Sequence, residues 1–261
     1  MNIKEREIKM KKGQITVFVI VAIVIVFVIL VAYLLYNKGV STTGSRELSP
    51  NDFIKNCVEP KIKEIINNLS SQGGYRNPEG YIEYNGKKIK YLCYTNRDYD
   101  FCIVQQPLIK GHFEKELNEE LSPKINQCIE QFKEEYKNRG YEIEVGRVNS
   151  TALIELKKIK VEINSPILIT KGEDKRTYNK FNIEIDSSIY DLLMITQSIL
   201  SFETTLGESE TVLYMQYYPN LKIQKIRLNE GTKIYILEDV VTKEKFTFAS
   251  RSLYLPPGGI S

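Results

Sequence analysis

The sequence predicts an α+β protein: a single N-terminal transmembrane helix, then a disulfide-stapled extracytoplasmic domain of helices packed on a largely antiparallel sheet. Three observations predict it. No charged residue occurs from Gly13 to Asn37. Two later segments have helical apolar spacing, and each carries a cysteine. Beyond them, short segments alternate apolar and polar residues without the strand–helix–strand rhythm of a parallel sheet.

Composition narrows the function. The chain has 261 residues, 42% hydrophobic and 26% charged, the balance of a folded domain rather than of a disordered or multi-span chain. Its net charge of +3 belongs entirely to the leader, where Lys4, Arg6, Lys9, Lys11 and Lys12 outweigh Glu5 and Glu7. The remainder is neutral, which argues against a strongly basic nucleic-acid binder, and no nucleic acid is expected as a partner. With one His and four Cys, a multi-His metal site is excluded, and no cofactor is expected.

The apolar core runs from Ile15 to Tyr36, 22 residues. As a helix it would be roughly 33 Å long, against a bilayer core of about 30 Å. It is apolar all round, so a buried amphipathic core helix does not fit. Five cations precede it and only Lys38 and Arg46 follow closely. The charge asymmetry places residues 1–13 in the cytoplasm and the C-terminal domain outside, with the lipid bilayer as a partner. Gly39-Val40-Ser41 offers a small-x-small site for a cleaved signal, the competing reading, though the apolar run exceeds the usual 7 to 15 residues. Residues 38–49 are small and polar, a linker. Residues 50–255 form the external domain, with one possible sub-boundary near 140, and Pro256-Pro257-Gly258-Gly259 begins a flexible tail at 256–261.

The junction KKGQITVFVIVAIVIVFVIL resembles an archaeal class III, or prepilin-type, signal peptide. The resemblance implies that Lys11-Lys12-Gly13 ends the leader. A prepilin-type membrane aspartyl peptidase would cut on the cytoplasmic side, leaving Gln14 first and the helix in place. Pilins usually carry Glu as the fifth mature residue; here it is Phe18. That departure points to a pilin-like or signal-anchored protein rather than a true pilin. The block FIKNCVEPKIKEIINNLSSQGGY also resembles a region in an uncharacterised family of single-pass membrane proteins of small-genome archaea. There a Cys-bearing helix ends in a Gln-Gly-Gly-Tyr stretch and a second Cys-bearing helix follows. The matching residues are Cys57, Gln72-Gly73-Gly74-Tyr75 and Cys128. This implies a related fold and assigns no active-site residue.

All four cysteines lie beyond the apolar run, and an even count outside the membrane predicts two disulfides out of three possible pairings. Cys57 shares a helical pattern with Ile54, Val58, Ile62, Ile65, Ile66 and Leu69, capped by Ser49, started by Pro50 and ended by Gly73-Gly74. Cys128 shares one with Ile125, Ile129, Phe132 and Tyr136, with Ser122-Pro123 as its start and Gly140 after its end. Packing these faces together would join Cys57 to Cys128. Tyr81–Tyr84 and Lys87–Tyr94 flank Asn85-Gly86, a type I′ hairpin signal, and Cys93 with Cys102 would close the loop after it.

Later segments alternate at Tyr141–Val145, Ile159–Ile163 and Phe181–Ile185, with turns at Asn149-Ser150 and Lys171–Lys175. Asp186 or Ser187 is expected to cap a helix carrying Ile189, Leu192, Leu193, Ile199 and Leu200. Strands are expected at Val212–Tyr218, Ile223–Leu228, Lys233–Leu237 and Lys245–Phe248, with Tyr214, Tyr217 and Tyr218 alternating across the first.

No nucleophile elbow, P-loop or dinucleotide fingerprint occurs. His112 in Gly111-His112-Phe113 reads as a surface or capping residue. The acidic groups Asp98-Tyr99-Asp100, Glu119-Glu120 and Glu173-Asp174 read as solvated loops. Asn68-Leu69-Ser70 and Asn149-Ser150-Thr151 match the glycosylation acceptor pattern, which matters only outside the cell. Taken together, the sequence predicts a membrane-anchored structural or interaction protein. It would be pilin-like or an envelope or secretion-assembly component, contacting other envelope proteins or itself. The rival expectations are an anchored hydrolase, with converging carboxylates in a deep pocket, and a solute- or polysaccharide-binding module, with a groove lined by exposed Tyr.

Overall fold

The computed structural model describes the backbone of residues 12–37 and 49–255 and the side chains of residues 19–31, 33 and 49–255. Most of the leader and the linker, and the tail, lie outside the described residues, as does the side chain of Gln14 at the expected Gly13-Gln14 processing site. The chain divides into two units, residues 1–48 and 49–261.

The first unit contains helix α1 (Lys12–Asn37). Its described side chains are uniformly apolar apart from Tyr33, and all are exposed. That described run is shorter than a span requires, and among the described residues no helix is long and apolar enough to cross a membrane.

The second unit is mixed α+β with mainly antiparallel sheets. Helix α2 (Pro50–Ser71) starts as the caps predict, with Ser49 Oγ accepting from the Asp52 amide at 3.2 Å. Then come the hairpin β1 (Tyr81–Tyr84) and β2 (Lys87–Tyr94), the two-residue β3 (Ile103–Val104) and helix α3 (Ile109–Asn138). A meander follows: β4 (Glu142–Val145), β5 (Asn149–Glu155), β6 (Lys158–Lys171) and β7 (Asp174–Asp186). Helices α4 (Ile189–Leu206) and α5 (Thr211–Tyr217) precede β8 (Leu221–Arg227), β9 (Thr232–Asp239) and β10 (Lys245–Arg251).

The strands form two sheets rather than one. The first has the order β1-β2-β10-β9-β8, with β3 also on β2; its β2–β10 pairing is parallel and the others are antiparallel. In the second, β6 is central, flanked by β7 on one edge and by β5 and β4 in succession on the other. The antiparallel expectation therefore holds apart from that one pairing, which closes the C-terminal strand onto the N-terminal hairpin. Helix α2 packs on β10 and β7, and α4 on β10, β2 and β5, so the helices tie both sheets into one core.

Three local expectations are corrected. Ser122-Pro123 does not begin α3, and Pro123 lies inside it. An interior Pro costs a helix about 3 kcal/mol. Upstream, Ile109, Phe113, Leu117 and Leu121 repeat every fourth residue and are fully buried, each contributing roughly 1.5–3 kcal/mol, so the helix continues through. Asn149-Ser150 is not a turn but the start of β5. Val212–Tyr218 is helical: Thr211, Tyr214 and Met215 face the core at helical spacing, and the Tyr218 amide closes onto Tyr214 O at 2.9 Å.

The cysteines form Cys57–Cys128 between α2 and α3, with Cα atoms 5.9 Å apart, and Cys93–Cys102 across β2 and the following loop, with Cα atoms 5.4 Å apart. These are the pairs that the helical faces and the hairpin imply.

Candidate functional site

Three loops and one helix start converge on a groove of about 570 Å³. The β5–β6 turn contributes Leu156 and Lys157. The beginning of α4 contributes Asp186 to Ser188, Asp191, Leu192 and Ile195, the α5–β8 link Tyr217 to Leu221, and the β9–β10 turn Asp239, Val241 and Thr242. Leu192, Ile195 and Leu221 at its base are buried, but four apolar members are open: Tyr217 is 80% exposed, Val241 68%, Leu156 60% and Tyr218 53%. Isolated exposed apolar residues are ordinary, but a cluster around one concavity marks a contact surface.

The walls are held firmly. The Asp239 carboxylate accepts from the Val241 and Thr242 amides, each at 2.9 Å, folding the turn back on itself. Lys157 and Lys243 both take left-handed φ of 63° at their turns. The Glu244 carboxylate accepts from the Ser187 hydroxyl at 2.8 Å, the Ser188 hydroxyl at 2.8 Å and the Ser188 amide at 2.5 Å. A carboxylate at a helix N-terminus suits the helix dipole. Glu244 thus holds the start of α4 from across the fold, and the Ser187 hydroxyl, one of the two caps the sequence offers, accepts from the Ile189 amide at 3.2 Å, while Ser188 makes no side-chain cap bond. The Asp186 and Asp191 carboxylates line the groove with no hydrogen bond or ion pair among the described residues, beside Lys157 and Asn220. The result is a partly aromatic, net acidic concavity that can stack on a flat surface and accept hydrogen bonds at its edge.

A second polar constellation is buried. Glu203, on α4, is fully enclosed. It accepts from the Tyr235 hydroxyl at 2.5 Å and the Ser250 hydroxyl at 2.7 Å, and pairs with Lys233 Nζ at 2.7 Å. Lys233 also donates to Gly207 O, and the Ser252 hydroxyl donates to Glu203 O at 2.7 Å. Burial, reinforced by the neighbouring Glu203 carboxylate, pushes the Tyr235 phenol far above its ordinary value, so it remains a donor. Every member is satisfied within the core, the mark of a structural network joining α4 to β9 and β10. Sequence reasoning missed it, although Glu203 continues the apolar spacing Thr196, Ile199, Leu200 on α4, a visible anomaly in that stripe.

The sequence-selected residues are dispersed. Asp98 receives Arg251 Nη2 at 2.8 Å and Asp100 accepts from the Phe101 amide at 3.0 Å, so both organise the disulfide loop. Glu119 and Glu120 lie within α3 rather than in a loop, with Glu120 paired to Arg76 at 2.6 Å, and Asp174 pairs with Arg176 at 3.0 Å. Among the described residues no cluster of His, Cys, Asp and Glu is arranged to hold a metal. His112 is not a cap: it sits one turn into α3, packed on Tyr75 with ring centroids 4.0 Å apart, its Nε2 3.8 Å from Glu116. Burial lowers its pKa, with Glu116 opposing. Asn149 is exposed at the start of β5; Asn68 is exposed on α2, with Ser70 buried behind it.

No family model, curated protein or solved structure matches this chain.

Proposed function

We propose that this chain is a single-pass membrane protein. Its apolar helix anchors it with the N-terminus in the cytoplasm, and its α+β domain binds other envelope components outside. It would serve in a pilin-like, envelope or secretion assembly, with the prepilin-type peptidase acting before Gln14 if the leader is removed. The observation that carries the binding reading is the groove bearing exposed Tyr217, Tyr218, Leu156 and Val241. The anchor is supported by the uncharged run from Gly13 to Asn37 and the five cations before it. Two disulfides suit an oxidising exterior.

The groove also favours a second reading, a polysaccharide- or solute-binding module. Tyr217 and Tyr218 offer faces for stacking, and Asp186, Asp191 and Asn220 offer acceptors. An anchored hydrolase needs a carboxyl held protonated in an apolar pocket. Asp186 is instead exposed and Asp191 half-buried at the rim of an open groove.

The test is proximity crosslinking in native membranes from a photoreactive group placed at Tyr217, with Val241→Ser as the control. Adducts with envelope proteins that the Val241 change weakens support protein docking. Adducts with glycan alone support the second reading. Labelling of cytosolic proteins contradicts the topology.

A further inference from the structure

The three long strands that border the sheets are treated differently. The outer edge of β5 is closed by α3: Asn118 donates to Ala152 O at 2.9 Å and accepts from the Ala152 amide at 2.7 Å, while Glu114 accepts from the Ile154 amide at 2.8 Å. The first half of the outer edge of β8 is closed by α5 and its link, where the Leu221 amide reaches Tyr218 O at 2.9 Å and the Ile223 amide reaches Met215 Sδ at 3.3 Å. The other bordering strands, β1, β3 and β4, have four residues or fewer. Strand β7 has 13 residues and pairs only with β6. Along Thr177 to Ile185, no hydrogen bond among the described residues reaches its other edge. Such an edge is a template for another strand.

We infer that β7 is a self-association edge, on which a second copy of this chain adds its own β7 antiparallel, joining two four-stranded sheets into one of eight. The closures on β5 and β8 leave β7 as the longest open edge a second copy has to offer. The contact is therefore isologous and stops at two chains, not at a filament. Charge fits this occupant. With the two-fold axis at Phe181, Arg176 of each copy faces Asp186 of the other, Lys180 faces Asn182, and no like charges oppose. Phe181, Ile183 and Ile185 stay in their own core, and Lys180, Asn182, Glu184 and Asp186 stay on the solvated face. This inference does not depend on where the domain resides.

The test is sedimentation of the full chain in detergent, with the variants Arg176→Asp, Asp186→Arg and the two together. Wild type should form dimers, and each single reversal should weaken them roughly tenfold or more. The double exchange should restore them, which a merely misfolded variant would not do. A Lys180→Cys/Asn182→Cys variant should crosslink between copies, since the described cysteines are all in disulfides. A wild-type monomer at every concentration overturns the inference, as does a dimer indifferent to both reversals and without the crosslink.

Discussion

Glu203 shows what a single buried charge commits a fold to. Its carboxylate is the common acceptor for Lys233, Tyr235 and Ser250. Glu203→Gln would keep one acceptor oxygen, set an NH2 donor against the other hydroxyl and strand the Lys233 ammonium in the core. A buried pair broken on one side costs about 3–5 kcal/mol, and a loss of that order is expected in urea unfolding of the detergent-solubilised chain. Adding Lys233→Met should recover part of it. His112 makes a smaller, pH-dependent claim. Its pKa is lowered in the folded state, chiefly by burial, so the unfolded chain binds more protons as pH falls through the ordinary imidazole range. Its contribution is present above about pH 6.5 and is lost as pH falls below it. His112→Gln should therefore flatten the dependence of the urea midpoint on pH between about 7 and 5.

At the scale of elements, α3 both builds the core and guards a sheet edge. Asn118→Ala removes two hydrogen bonds to Ala152, leaving a buried strand edge half-satisfied. The expected cost is about 1–3 kcal/mol, with faster amide exchange at residues 152 and 154 as the local signature. The same helix shows where sequence reading succeeds and fails. Cys57, Cys128 and the apolar residues around them declare two packed helices, because burial imposes a period that residues four apart must share. The Asn85-Gly86 turn declares its hairpin because few residues tolerate that backbone. Ser122-Pro123 misled because a start signal is local, whereas the burial of Ile109 to Leu121 that overrides it is tertiary. The helix α5 was hidden for a related reason. In a seven-residue segment, apolar and aromatic residues at Val212, Leu213, Tyr214, Tyr217 and Tyr218 satisfy both periods, and only the packing of Tyr214 and Met215 chooses. The groove was illegible in advance because its lining comes from residues 156 to 242, joined by loop geometry that no spacing encodes.

At the scale of the molecule, the proposal of an anchored binding protein rests on a C-terminal domain with no net charge, two disulfides and an uncharged run after a basic leader. The Cys57–Cys128 bridge closes a loop of 71 residues, worth roughly 4 kcal/mol in the chain-entropy account. Replacing both cysteines with Ser should lower the unfolding free energy by about that amount. The most direct measurement of the central claim is the intact mass and N-terminus of native protein recovered from carbonate-washed membranes, before and after reduction. The account predicts protein in the membrane pellet that gains four hydrogens on reduction, with Gln14 first if the leader is processed. Protein in the wash with four thiols free before reduction would contradict the anchor and the oxidising exterior together.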